Sequence, residues 1–446
     1  MVKAQVPERI SVTMYQVGFG DCFLLSFHYG AALDDGRTAR HLLIDYGSTH
    51  QAEGSEIADV AKLLMEHTEG ILDAVVISHR HRDHLSGLAN SDVQRTFDAL
   101  APRFVLRPWT EDPQLAPDSD GPPAAPDADV DCRYVGTLAA AQRYVGRLDP
   151  LLSAAVGDGD RFAALADAIQ GEAQMSLGVN ENAMRLLNGW AAGGRGRYAS
   201  YGTDVGLEDA IPGVHCDVLG PPLIRDHEAI TRQRYDDAHE FWLAQDQVEP
   251  DDLLPAEGGT IRKAEQTLAG PTRLWPARWL LDKLNARQHE HVAELVDAVD
   301  HAINNTSLIL VITAGERRML FPGDAQIENW EYVLGKDPGD PLRSLLSKID
   351  LYKVGHHGSR NATPRTLLEK VWNAAGAKGH PMVGLMSTKS QVHGKGGPNP
   401  VPKQQLIDAL EKRMTLYRTD TLETGELFLR VEASSVQDGI AFARVM

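Results

Sequence analysis

Three cysteines in 446 residues, Cys22, Cys132 and Cys216, are too few and too far apart for a disulfide framework or a thiolate metal cluster. An odd count also cannot close fully into internal pairs, so the reading is a reduced, cytoplasmic compartment. No apolar run approaches the roughly 20 residues that span a bilayer. The longest lies around Leu308 to Ala314, and Met1 to Glu8 lacks the charged-then-apolar order of a signal peptide. Basic residues are in deficit, 44 against 62 acidic, for a formal net charge of −18. Such a surface repels polyanions at long range and argues against a DNA-coating role, although bound dications invert the field locally. What is present, 43% hydrophobic and 24% charged residues, is an ordinary globular composition with enough chain for a large core.

Strand-like and helix-like patterns alternate through the first hundred residues. Ile10 to Tyr15 and Cys22 to Phe27 read as strands about the tight turn Val17-Gly18-Phe19-Gly20-Asp21, and His41 to Ile44 as a third. Ile57, Val60, Ala61 and Leu64 fall at i, i+3, i+4 and i+7, the stripe of an amphipathic helix. Ile71 to Ser78 is a short buried strand running into a histidine cluster, the usual place for chemistry in an open α/β sheet. Residues 108 to 132 turn to Pro, Asp and Ala and read as an exposed loop. Phe162, Leu165, Ala166 and Ile169 mark a helix, Gly189 to Gly202 an irregular stretch, and Val292, Leu295, Val296 and Val299 the clearest stripe of a helical region. Strands return at Ser307 to Thr313, Met319 to Phe321 and Ile349 to Val354, and Leu416 to Val431 alternates like a strand. The expectation is an α/β protein with layered α/β/β/α packing: one discontinuous core of 1–100 and 213–446. Residues 101–212 are read as an insertion with an acidic Pro-rich loop and helices, and 224–302 as a helical insertion. The insertions leave room for a protein partner.

His79-Arg80-His81-Arg82-Asp83-His84 carries the chemistry. Imidazole and carboxylate are ligands that zinc favours. In a loop leaving a strand, residues 79 and 81 point the same way and can chelate one ion, while Asp83 and His84, one turn on, reach a second. A solvated basic loop built on Arg80 and Arg82 is the bland alternative. Asp324, after a glycine that permits close approach, is placed to bridge two metals. His356 and His357 close another strand. Neighbours in extended chain face opposite ways, so His357 is assigned as the ligand and His356 as a donor to the leaving group. Lys353 is either a contact to substrate phosphate or a snorkelling strand-end lysine. Asn305 is either near the substrate or a turn residue. Asp21 and Asp45 are read as holding turns behind the ligand loop. His289, His291 and His301 read as solvent-facing histidines, His393 as either lining the pocket mouth or part of a flexible Gly/Pro-rich loop, and Trp275 and Trp279 as core.

His-x-His-x-Asp-His, the later Gly-Asp and a final histidine resemble the metallo-β-lactamase superfamily. Val17-Gly18-Phe19-Gly20-Asp21-Cys22, Ile44-Asp45-Tyr46-Gly47, Asn304-Asn305-Thr306-Ser307-Leu308, Gly323-Asp324, Lys353 to Ser359 and Tyr417-Arg418-Thr419-Asp420 match, in order, the ComEC-like branch. That branch is the soluble catalytic domain of competence DNA-uptake proteins. The resemblance covers roughly residues 10–100 and 213–432 and implies a four-layer αββα metallo-β-lactamase fold with helical insertions. It departs at His81, where ComEC-like proteins often carry aspartate. The superfamily's separate third histidine has no clear counterpart; His215 is the candidate, and a surface role fits it better. With no bilayer-spanning run, DNA import is not implied.

The resulting expectation is a dinuclear metal-dependent hydrolase with two divalent ions, zinc or manganese, and a bridging hydroxide attacking a phosphodiester or nucleic-acid substrate. His79, His81, Asp83, His84, Asp324 and His357 are the ligands, Asp83 also orienting the nucleophile. A lactone, amide or thioester hydrolase is the alternative enzyme. A non-catalytic metal-binding interaction module is the alternative from another class.

Overall fold

The computed structural model describes residues 5–97, 100–113, 181–231, 234, 237, 239–242, 303–372, 382–392, 400–436 and 441–445. The helical patterns at 162–169 and 292–299, most of the Pro-rich stretch, both tryptophans at 275 and 279, and His289, His291, His301 and His393 lie outside them.

Alternation within the strands builds two mixed sheets. The first half supplies β1 (Arg9–Tyr15), β2 (Cys22–His28), β3 (Ala39–Tyr46), β4 (Ala74–Val76), β5 (Phe104–Pro108) and β6 (Gly196–Ala199). The second supplies β7 (Val214–Gly220), β8 (Ile309–Ala314), β9 (Arg317–Phe321), β10 (Leu351–Lys353), β11 (Met382–Met386), β12 (Met414–Arg418), β13 (Phe428–Ser434) and β14 (Ala443–Val445). One sheet runs β14-β13-β1-β2-β3-β4-β5-β6 and the other β12-β11-β10-β9-β8-β7. β1 to β3 pair antiparallel and β3 to β6 parallel. In the second sheet β9 to β12 are parallel.

Both faces of each sheet are covered, so the central strands are apolar on both sides. Phe23, Leu25 and Phe27 of β2 share one buried cluster with Leu310 and Ile312 of β8, the inward faces of the two sheets. Leu24, Leu43 and Val75 face the other way, against helices α1 (Ile57–His67), α2 (Arg82–Ala89), α3 (Ser91–Phe97) and α4 (Glu181–Ala191). On the outer face of the second sheet, Ile309, Val311 and Leu320 meet α5 (Ile327–Leu334) and α6 (Gln404–Glu411). The buried residues of α1 are Ile57, Val60, Ala61 and Leu64, the stripe read from the sequence.

Three expectations change. Residues 104–108 and 196–199, assigned to an insertion, are strands of the first sheet; Val105 pairs with Gly196 and Pro108 with Ala199. The glycine-rich stretch is ordered, with Gly193 and Gly194 at φ 71° and 81° turning the chain from α4 into β6. Leu416 to Val431 is two strands in different sheets, because the turn after Arg418 carries the chain from β12 across to β13. The strand-end loop that carries His79 and His81 is short: His81 is already the N-cap residue of α2.

Candidate metal centre

The parallel strands of both sheets end on one side, and the loops leaving β4, β9 and β10 meet there. His79 and His81 stand on extended backbone between β4 and α2; Asp83 and His84 fall in the first turn of α2, where His84 N–H donates to His81 O at 3.1 Å. That helix start is pressed onto two turns of the first sheet. A Cβ on Gly47 would lie 2.4 Å from the Asp83 carbonyl carbon and 2.5 Å from His84 N, and one on Gly20 2.7 Å from Asp83 O. Asp21 N–H donates to Asp83 O at 2.9 Å, and Gly47 N–H to Asp21 O at 3.0 Å.

From the other sheet, Gly323 sits at φ 55° where a Cβ would be 2.8 Å from the Ser78 Cβ. This close approach delivers Asp324 to the histidines. Its Oδ1 accepts from His356 N–H at 2.9 Å and lies 3.4 Å from the Lys353 ammonium; its Oδ2 faces His84 Nε2 at 3.0 Å and His357 Nε2 at 3.6 Å. His356 and His357 both adopt left-handed backbone, φ 43° and 51°. Such conformations cost a non-glycine residue of order 1–2 kcal/mol. The His356 bond to Asp324 and the His357 Nδ1 bond to Ser387 O at 3.0 Å hold them there. The pair is therefore a turn, not extended chain.

Asp83, His84, Asp324 and His357 are all buried, and one ligand atom from each lies within 4.8 Å of the others. The proton positions on the two imidazoles are constrained. Ser387 O only accepts, so His357 Nδ1 carries a proton, and Nε2 faces Asp83 Oδ2 at 2.9 Å. His84 Nδ1 faces Asp45 Oδ2 at 2.8 Å, and its Nε2 faces Asp324 Oδ2 at 3.0 Å. Each Nε2 can meet its carboxylate through a proton or through a metal ion held between them, and the donor set, two imidazoles and two carboxylates, is one that suits zinc or manganese. These residues fit a metal ion. Beside them, His79 Nε2 and His81 Nδ1 face each other at 2.9 Å, the two donors of a chelate.

Charge points the same way. Asp21, Asp45, Asp83 and Asp324 are at most 8% exposed, and Lys353, at 2%, is the fixed cation among them. Burial pushes the His84 imidazole down, but Asp324, Asp83, Asp45 and Asp21 together raise it well above its ordinary value. His357 is raised by Asp324, Asp21 and Asp83 against the same burial. Burial would lift Asp83 and Asp324, yet His84 and its neighbours hold both below the usual carboxylate range. Asp21 stays raised by burial despite Lys353, and His79 is lowered by burial and by His84 and His81. The pocket demands positive charge.

The structure thus brings together His79, His81, Asp83, His84, Asp324 and His357, with His356 half-buried beside them. Lys353 does not snorkel; it is buried, paired with Asp21 and bonded to Gly323 O at 3.1 Å. Asn305 is fully buried, its Nδ2 donating to Glu328 Oε2 at 3.3 Å. His215 lies on β7, exposed and paired with Glu208 at 2.6 Å and Asp217 at 3.2 Å, outside both clusters of metal-binding groups. Asp45 takes Ser78 N–H and Oγ–H, each at 2.7 Å, and with Asp21 stands directly behind His84. Ser387, which fixes the His357 tautomer, gave no signal in sequence because β11 carries no motif.

No helix among the described residues is long and apolar enough to cross a membrane. The chain matches no protein-family model. It is similar to Recombination protein 2 of Haemophilus influenzae, 31% identical over 83 residues, which is 19% of this chain and 9% of that protein's length.

Proposed function

We propose that the chain is a dinuclear metal-dependent hydrolase of phosphodiesters on a four-layer αββα metallo-β-lactamase scaffold. The observation that carries this reading is the convergence of the His84 and His357 Nε2 atoms with the Asp324 and Asp83 carboxylates in a buried pocket. Three further observations support it: the helix–sheet–sheet–helix order of the buried clusters, the ligand-bearing loops at strand ends, and the limited likeness to a protein named for recombination. Asp83, His84, Asp324 and His357 would hold one zinc or manganese ion, and His79 and His81 the second. Bound dications supply Lewis acidity and acidify water from about 15.7 toward roughly 7.

The chain's own residues do the rest. Asp45 and Ser387 fix the tautomers of His84 and His357, so each presents Nε2 to the pocket. Asp83, gripped through its carbonyl by Asp21 N–H, orients the attacking water. His356, beside Asp324 at the half-buried rim, gives a proton to the leaving oxygen.

The test is metal content together with a substrate panel. Purified protein should carry about two zinc or manganese ions per chain. Asp324→Ala or His81→Ala should lose metal and hydrolysis of bis-p-nitrophenyl phosphate while keeping the far-UV circular dichroism of the parent. Turnover confined to lactones or thioesters would replace the phosphodiester assignment with carbonyl chemistry. A folded, metal-free wild type would end the reading.

A further inference from the structure

We propose that Asn304 is a metal ligand, its carboxamide oxygen completing with His79 and His81 the set that holds the second ion. The inference rests on the metal-centre reading above and adds a residue to it.

The two halves of the centre are unequal. Asp83, His84, Asp324 and His357 gather four ligand atoms within 4.8 Å. The facing pair His79 Nε2 and His81 Nδ1 stands 2.9 Å apart, and among the described residues no third His, Cys, Asp or Glu gathers with that pair at the same spacing. The two imidazoles alone fall short of the three protein ligands that open catalytic sites ordinarily use, and an Asp324 that bridges would be shared with the first ion.

Asn304 supplies an unusual complement. It is 1% exposed, and neither its Oδ1 nor its Nδ2 has a hydrogen-bond partner. Leaving a buried polar group unsatisfied costs about 1–3 kcal/mol. Native chains keep few such groups, and an ion or water at the site is one of the ordinary reasons. In its neighbour Asn305 the amide nitrogen donates to Glu328, whereas in Asn304 both amide atoms lack such a bond.

Position turns this from an oddity into a site. The turn from Asn304 is closed by Ser307 N–H donating to Asn304 O at 3.0 Å. Leu308 N–H donates to the carbonyl of Ser78, the residue before His79, at 2.9 Å. Ser307 Oγ accepts from Asp324 N–H at 3.3 Å, and Ser307 O accepts from Asn329 Nδ2 at 2.8 Å. The Asn304 turn is therefore tied both to the strand end that carries His79 and to the turn that carries Asp324. Asn304 is also as buried as His79 and His81, at 0% and 3%, whereas His356 at the rim is partly open. That depth fits an ion better than a substrate contact. An amide oxygen is a harder donor than imidazole, so manganese should compete with zinc at this position.

Native mass spectrometry and chelator competition on the full chain test the proposal, with zinc and manganese as the probes. Wild type should bind two ions. Asn304→Leu, close to isosteric, should keep one tightly and weaken the other by about 100-fold, at or beyond the loss seen when supporting residues of metal sites are removed. Its thermal midpoint without metal should hold or rise, since an unpaired buried amide contributes nothing that leucine lacks. Asn304→Asp, which offers an anionic oxygen in nearly the same place, should tighten the second ion and carries the test if the leucine variant does not fold. Two ions retained in Asn304→Leu at parental affinity, or no change in Asn304→Asp, would overturn the assignment while leaving the metal centre standing. A wild type that binds no metal would instead remove the centre itself.

Discussion

Lys353 shows how far a residue's role departs from its sequence. In the chain it follows apolar residues at a strand end and reads as a reach toward phosphate or solvent. In the fold it is 2% exposed, with its ammonium against Asp21, Gly323 O and Asp324. Nothing local announces that burial, because the groups that enclose it come from both sheets. The residues proposed as ligands stood out for the opposite reason: imidazoles and carboxylates at 79, 81, 83 and 84 form a pattern with few other uses, and Asp324 and His357 each follow a strand and a glycine turn. Breaking a buried ion pair by removing one partner costs about 3–5 kcal/mol, whereas replacing both is often close to neutral. Lys353→Met should therefore lower the urea midpoint by an amount of that order, and Lys353→Met with Asp21→Asn should recover most of it. A single variant as stable as the parent would deny Lys353 its role as counter-ion.

At the scale of elements, the proposed metal centre depends on how closely α2 can sit on the turns of the first sheet. A methyl at Gly47 would overlap backbone atoms of Asp83 and His84, not a side-chain end that could swing away. Gly47→Ala should thus displace the helix start, costing about 1–3 kcal/mol as overpacking does. It should also weaken metal binding, although residue 47 is no ligand. Chelator competition reads the second effect, and unchanged affinity would show that α2 is positioned by something else. Strands were legible where alternation was long, as in β1, β2 and β8. β5 was not, because Arg107 and Pro108 interrupt its apolar run. The structure accommodates that arginine by burying it at 1% exposure, with Nη2 donating to Asn188 Oδ1 at 2.8 Å and Tyr198 Oη at 2.6 Å. β6, four residues in a glycine-rich stretch, exists only because β5 offers it an edge.

For the molecule as a whole, the layered α/β character followed from the order of patterns, but the division into core and insertion did not, since sheet membership is settled by pairing across some ninety residues between β5 and β6. Burial on that scale also sets the response to acid. His41 on β3 is 6% exposed beside Ser26 Oγ at 2.9 Å, and burial, then the nearby His28, Arg37 and Arg40, pushes it down to about 3. His28 and His67 are pushed down to about 4, again by burial first. These imidazoles stay neutral in the fold at pH values where the unfolded chain, near the ordinary 6.5, has already taken up protons. The unfolded state then binds more protons, so stability is full above about pH 6.5 and drains away as pH falls toward 3–4. At about 1.4 kcal/mol per unit, His41 alone accounts for a few kcal/mol across that window. Asp35, held below the usual carboxylate range by Arg40 and Arg37 against its slight burial, loses its contribution only below about pH 4, so the two effects separate. The measurement is a series of urea midpoints from pH 7.5 to 4.5 on the Asp324→Ala background, where loss of metal in acid adds nothing. The midpoint should fall steadily through that range, and His41→Gln should flatten the fall. An identical slope in both proteins would mean that His41 is charged within the fold, and that the core around β3 is more open to solvent than its packing implies.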